Sequence, residues 1–351
     1  EIPLTGPEAE RGLQTMQVAL TTHRMQFFPE DFWDLSQLKW CPHVYRLNKV
    51  PCKPWERRLP KLEELETEFK LQGISLRANK EDSIRIDAAA ASHLNFKREL
   101  LQVLPMEDVQ WRFNTCAVVG NSGVMLGAGH GAAIDAHEAV FRTNMAPIEA
   151  FAQDVGSRTT FDVINLQHSK MFTPHVHAGG QDAESLRAPL RNSTLLVFEI
   201  LNPFARHHVY APLLRRFNSK TSTSGTRVAA LSPELVMHTY RMWYAMKAAV
   251  EGASHSANYK PPKYLLKPMS GFFATIFSLQ VCNSVTLYGF SSYHPSQQGG
   301  AKARYSREQL RYHYFDGVPG VTRHHSFDLA FEIYRQMSIW PCSKINMTIV
   351  T

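Results

Sequence analysis

Three groups of residues have the types and spacing that chemistry needs. The first is Gly120-Asn121-Ser122-Gly123, followed by Gly127-Ala-Gly129-His130-Gly131-Ala132. A turn after a buried strand can bring backbone N–H groups against phosphate oxygens, and glycines remove the Cβ obstacle. Gly127 to Ala132 fits the GxGxxA pattern of dinucleotide folds, but its strand ends at Gly120, too early for the fingerprint. NAD(P) binding and a plain structural turn are both open. The second group is Met269-Ser270-Gly271, which opens an apolar run ending at Cys282. Ser270 is a good N-cap residue, and the amides after it could hold an anion or simply be capped. The third is His313-Tyr-Phe-Asp316 with His324-His325. A neutral histidine can act as a base, an imidazolium can support a departing phosphate, and a structural histidine does neither. Zinc could use His175-Val-His177, His207-His208 or His324-His325, but no carboxylate or cysteine stands at helical ligand spacing beside them.

Absences narrow the chemistry. There is no Asp-x-Asp triplet, so a common device for holding a divalent ion on a sugar diphosphate is missing. GxxxxGK[ST], GxSxG and HExxH are also absent, which argues against common NTPases, α/β-hydrolases and zincins. Cysteines at 41, 52, 116, 282 and 342 form no CxxC pair. Asn192-Ser193-Thr194 and Asn346-Met347-Thr348 are sequons, which become glycosylation sites if the chain enters a secretory lumen.

These residues need a scaffold. The chain has 351 residues, 44% of them hydrophobic, which excludes disorder and suffices for a large core. Its net charge of +7 suits an anionic partner, but the charges are dispersed, so a nucleic-acid arm is not expected. No uncharged apolar run reaches the roughly 18 residues of a membrane span. Residues 1–110 read as an irregular N-terminal extension packing on the core, with short helices over Leu13–Leu20, Lys61–Leu71 and Ala88–Leu104. Residues 111–351 read as the main domain. Apolar runs at Cys116–Gly120, Phe161–Asn165, Thr194–Ile200, Arg227–Leu231 and Ser284–Phe290 predict buried strands. Helical patterns lie between them, notably Pro233–Val250 and Gly271–Cys282, the latter apolar nearly all round and hence buried. Strands alternating with helices predict an α/β fold with a mostly parallel sheet. Residues 252–262 and 293–304 read as loops, the second where an open sheet would place an active-site lid.

Taken together, the segments resemble the sialylmotifs of glycosyltransferase family 29, the eukaryotic sialyltransferases. The large motif resembles Cys116 to Gly123 through Ile134–Asn144 to Gln153–Thr160. The small motif resembles Pro268 to Cys282 and on to Phe290, motif III resembles His313–Asp316, and the very small motif begins at His325. The resemblance implies a single Rossmann-like domain of the GT-A variant type with about seven strands. It also implies that Asn121 and Asn144 contact the donor nucleotide, with Ser122 and Gly123 in the same turn. Ser270 and Gly271 would hold the donor's carboxylate and phosphate. His313 would support the leaving phosphate, and His325, with His324 as its rival, would deprotonate the acceptor hydroxyl. A bridge between the large and small motifs maps to Cys116–Cys282.

The implied activity is inverting, metal-independent transfer of a 2-keto sugar acid, sialic acid, from its CMP donor to a glycan hydroxyl. The acceptor would be carried by a glycoprotein, glycolipid or polysaccharide, with no cofactor and no metal. A start at Glu1 is read with the family as a Golgi-luminal catalytic region whose type II membrane anchor lies elsewhere. Two departures bear on the donor: Met269 replaces the family's serine, and Ala330 stands where a glutamate is expected, with Glu332 two residues on. They leave room for a CMP-Kdo-type transferase or a non-catalytic binding member. An NAD(P) oxidoreductase is the remaining alternative.

Overall fold

The computed structural model describes residues 111–173, 192–200, 202, 204–218, 225–231, 235–236, 239–240, 242–243, 247, 267–290, 311–318, 325–339 and 346–350. The expected extension, both predicted loops, His175, His177, His324, Cys41, Cys52 and Cys342 lie outside the described residues.

Seven strands form one sheet: β1 Phe113–Val119, β2 Ala139–Thr143, β3 Phe161–Ile164, β4 Thr194–Val197, β5 Arg227–Ala230, β6 Cys282–Tyr288 and β7 Met347–Val350. The order is β5-β4-β3-β2-β1-β6-β7. All six pairings are parallel. The α/β expectation, with about seven strands, is met. Helices α1 Gly131–Asp135, α2 Ala152–Val155, α3 Leu166–Lys170, α4 Ala211–Asn218, α5 Ser270–Val281 and α6 Phe327–Ile339 surround it. The described positions inside predicted helix 233–250 are helical.

Parallel strands covered on both faces must be apolar on both, and β1 is. Cys116 and Val118 enter one core with β3, β4 and α5. Ala117 and Val119 enter a second with Met125, Ile134, Val155 and Tyr314. Helix α5 lies in the first core with every residue but Gly271 buried. Its Phe277 ring meets Phe141 and Phe161 at 6.0 Å, and Phe273 stacks on Phe198 at 4.2 Å. Cys116 and Cys282 are joined by a disulfide with Cα atoms 6.1 Å apart, which ties β1 to the foot of β6.

Two strands are not among those the apolar runs predict. In β2 the run is broken by Arg142, only 1% exposed. Its guanidinium donates to the carbonyls of Val155 and Arg158 at 2.8 and 3.0 Å and to Thr159 Oγ1 at 3.0 Å, so the buried cation is satisfied. The short edge strand β7 follows the exposed Asn346 and pairs only with β6.

Candidate active site

The sheet reverses its winding between β1 and β6, and open α/β sheets bind ligands at the carboxyl ends of strands at such a switch point. The two strands close tightly there. Gly120 N donates to Tyr288 O at 2.7 Å, and a Cβ on Gly120 would stand 2.6 Å from Gly289 O.

The turn after β1 uses its own amides. Val124 N and Met125 N bond to Ser122 Oγ and O, Leu126 N to Gly123 O, and Ala128 N to Met125 O. Gly123 N donates to Arg311 O at 3.1 Å. Gly127 and Gly129, both left-handed at φ 73° and 67°, aim their amides at the Asp154 carboxylate, 2.9 and 2.8 Å away. The GxGxxA segment is therefore an anion nest filled by a side chain of this chain, which corrects the dinucleotide reading. The Gly123 amide is likewise committed, and Ser122 uses its hydroxyl oxygen as a local cap.

Asn121 and Asn144 sit side by side at the ends of β1 and β2. Asn121 Nδ2 donates to Thr143 O at 3.2 Å, which leaves Oδ1 as its remaining acceptor. Asn144 has the reverse polarity: Oδ1 accepts from Asn165 N at 3.1 Å and Ser270 Oγ at 3.3 Å, leaving Nδ2 as its remaining donor. Asn144 and Met145 are both left-handed, at φ 56° and 58°. Asparagine tolerates this conformation; methionine is strained by it, about 1–3 kcal/mol. The bonds Asn144 N to Val163 O and Met145 N to Asp162 Oδ1, each 3.1 Å, hold the pair.

Ser270 is the first residue of α5 and not its cap; the cap is Met269, with no side-chain bond. The expected N-cap is corrected: the hydroxyl turns to Asn144 instead, and brings the start of a 12-residue helix to the same place. Gly271 fits beneath Phe290, whose ring a Cβ would meet at 3.0 Å.

The histidine segment lies across this edge. Tyr314 N donates to Asn121 O at 2.8 Å, and Tyr314 Oη to Pro147 O at 2.6 Å. His313 Nδ1 meets Asp316 Oδ2 at 2.5 Å, and its ring stacks on Phe315 at 4.7 Å. Tyr312 stands between the two histidines, its ring 4.0 Å from His313 and 6.3 Å from His325. Burial, with Asp316 adding to it, pushes the Tyr312 phenol up to about 12. Ala330 is buried in the main core, so the position expected for a glutamate faces packing and not the site.

Residues the sequence reading passed over complete the edge. Asn165 caps α3 through Oδ1, which accepts from His168 N at 2.9 Å. Glu199, after β4, accepts from Leu166 N and pairs with Lys267 Nζ at 2.6 Å. The signal for Asn165 was available: an asparagine closing an apolar run before Leu-Gln-His is a helix-start pattern. Asn192 and Asn346 are exposed, the first at φ 65°. Among the described residues no three His, Cys, Asp or Glu side chains cluster as metal ligands.

Residues 73–339 match the family described as "Glycosyltransferase family 29 (sialyltransferase)". The chain belongs to glycosyltransferase family 29. Among family members, it is 30% identical to Sialyltransferase-like protein 2 of Oryza sativa subsp. indica, over 57% of this chain and 49% of that one. It is 28% identical to CMP-N-acetylneuraminate-beta-galactosamide-alpha-2,3-sialyltransferase 1 of Sus scrofa, over 56% and 51%. The chain thus spans about half the length of the curated relatives it matches. A mammalian sialyltransferase crystallised with Gal-beta-1-3GalNAc-ortho-nitrophenol is similar at 21% identity and TM-score 0.45, over 93% of this chain and 96% of that one. No helix among the described residues is long and apolar enough to cross a membrane.

Proposed function

We propose that this family 29 chain is a glycosyltransferase that moves sialic acid from CMP-sialic acid to a glycan hydroxyl, with inversion and without a metal. One observation carries the reading. The His313 segment is hydrogen-bonded directly to the Asn121 turn, so a nucleotide turn, a helix N-terminus and two imidazoles share one sheet edge.

The chemistry follows from these groups. Asn121 Oδ1 takes a hydroxyl or amine of the cytidine, and Asn144 Nδ2 donates to an anionic or carbonyl oxygen. The N-terminus of α5, with Ser270 and Gly271, and His313, oriented by Asp316, stabilise the charge that develops on the departing phosphate. His325 removes the acceptor proton as the hydroxyl attacks the anomeric carbon from the opposite face. CMP is a good leaving group with a single phosphate, so no divalent ion is required of the site.

A donor panel of CMP-sialic acid, CMP-Kdo and NAD(P), read by thermal shift and then by product mass with a glycan panel, tests this. The expected result is stabilisation and transfer with CMP-sialic acid, undiminished in excess EDTA. Transfer from CMP-Kdo alone would change the donor, and a strict Mn²⁺ requirement would sink the metal-free mechanism. CMP binding without turnover of any donor would make the chain a binding member of the family. Golgi-luminal residence as a type II membrane protein belongs to the same proposal; expressing the full-length protein tagged at each end, with protease protection of the tags, checks it.

A further inference from the structure

His168, on α3 at the end of β3, is used by none of the steps above, yet its ring is held as firmly as those of the site. Asn165 Oδ1 accepts from the His168 backbone N at 2.9 Å, which fixes that atom as oxygen, and the same oxygen stands 2.8 Å from His168 Nδ1. Nδ1 must therefore carry the proton. In a neutral ring Nε2 is then a bare lone pair, and among the described residues it has no hydrogen-bond partner. Asn165 is also the residue whose amide orients Asn144, so the lock on His168 and the orientation of Asn144 share one side chain and its backbone. Burial drives the His168 pKa down to about 4; Asp162 opposes this and the neighbouring His313 adds to it. The ring is thus uncharged at neutral pH, and His313 is near enough to be felt.

We propose, on the transferase reading above, that His168 is a further substrate-contact residue whose Nε2 accepts a hydrogen bond from a hydroxyl of the bound carbohydrate. That hydroxyl belongs either to the ribose of the donor or to the acceptor sugar, since either would present the same O–H group. A hydroxyl is the fitting partner because a fixed lone pair rewards a donor and repels a phosphate or carboxylate oxygen.

Two substitutions separate substrate contact from a purely structural role. His168→Asn places an amide where Nδ1 was, keeping the Asn165 contact and deleting the acceptor; His168→Gln reaches the Nε2 position and restores it. Each is prepared in the whole chain, and affinity is measured for CMP, 2′-deoxy-CMP and 3′-deoxy-CMP. The KM and kcat are measured for an acceptor that the wild-type protein turns over. His168→Asn is expected to weaken one substrate roughly tenfold, the loss of one hydrogen bond, with His168→Gln recovering most of it. A penalty in CMP affinity that disappears with one deoxy nucleotide identifies the ribose. A penalty in acceptor KM with CMP affinity unchanged identifies the acceptor. Wild-type constants in His168→Asn, or His168→Gln more impaired than His168→Asn, would overturn the assignment, the latter showing that the ring only holds Asn165. A wild-type protein that binds no CMP-sugar would remove the transferase reading and this one together.

Discussion

Asn121 and Asn144 differ in what their backbones demand of them, and so in what they offer a ligand. Because Asn144 Oδ1 is held by Asn165 and Ser270, Asn144→Asp should keep the fold and replace the remaining amide donor with a carboxylate oxygen. Calorimetry should then show CMP affinity reduced at least about tenfold, with little change in melting temperature. His325→Ala is expected to abolish transfer and leave CMP affinity near that of the wild type; lost CMP binding with retained turnover would reverse the roles given to the site. His168 makes stability depend on pH. Its folded pKa of about 4 lies below the ordinary 6.5, so between those values the unfolded chain binds the proton and the folded chain does not. Stability therefore falls as pH drops from about 6.5 to 4, by on the order of 3 kcal/mol at most. Partly buried His137, its pKa also lowered by desolvation, contributes with the same sign. Urea midpoints at pH 7 and 4.5 measure the slope, which His168→Asn should flatten.

At the scale of elements, close approach of backbones sets the site. Gly120 lies against Gly289 with no room for a methyl group, and the atoms in the way are backbone that cannot rotate aside. Gly120→Ala should cost about 1–3 kcal/mol, read as a lowered denaturation midpoint, and should separate β1 from β6 where the Asn121 turn begins. Helix α5 gives the opposite contrast. A capping serine replaced by alanine costs about 1 kcal/mol, but Ser270 is not the cap. Ser270→Ala should therefore cost what the lost Asn144 contact is worth, about 0.5–1.5 kcal/mol, and weaken CMP binding with it; a stability loss without a binding defect would contradict this geometry. Much of this level was legible beforehand: β1, β3, β4, β5, β6 and α5 all announce themselves as apolar runs. Strand β2 does not, because Arg142 breaks its run and only tertiary carbonyls make that burial tolerable.

For the whole molecule, the Cys116–Cys282 bridge spans a sequence separation of 166 residues. It encloses β2 to β5 and α5, so it constrains most of the unfolded described chain. In the chain-entropy account such a loop is worth about 5 kcal/mol, and the double variant Cys116→Ser/Cys282→Ser should lose a large part of that in urea denaturation. Peptide mapping of protein from a secretory host should find the two cysteines linked.

Sequence alone determined the fold class, because parallel strands buried on both faces must be nearly continuous apolar runs and their helices must intervene. It also determined the family, whose resemblance supplied the cysteine pairing and the residues Asn121, Asn144, Ser270, His313 and His325. Only the tertiary structure decided what those residues can offer. Ser270 looks like a cap and turns to Asn144, while the glycines at 127 and 129 look like a phosphate cradle and hold Asp154. Asn165 reads as the tail of a strand and His168 carries no signal at all, yet the fold brings both to the candidate site's edge. The reason is physical: residue type sets how many hydrogen bonds a group can make, but which are already spent depends on neighbours brought together from distant parts of the chain.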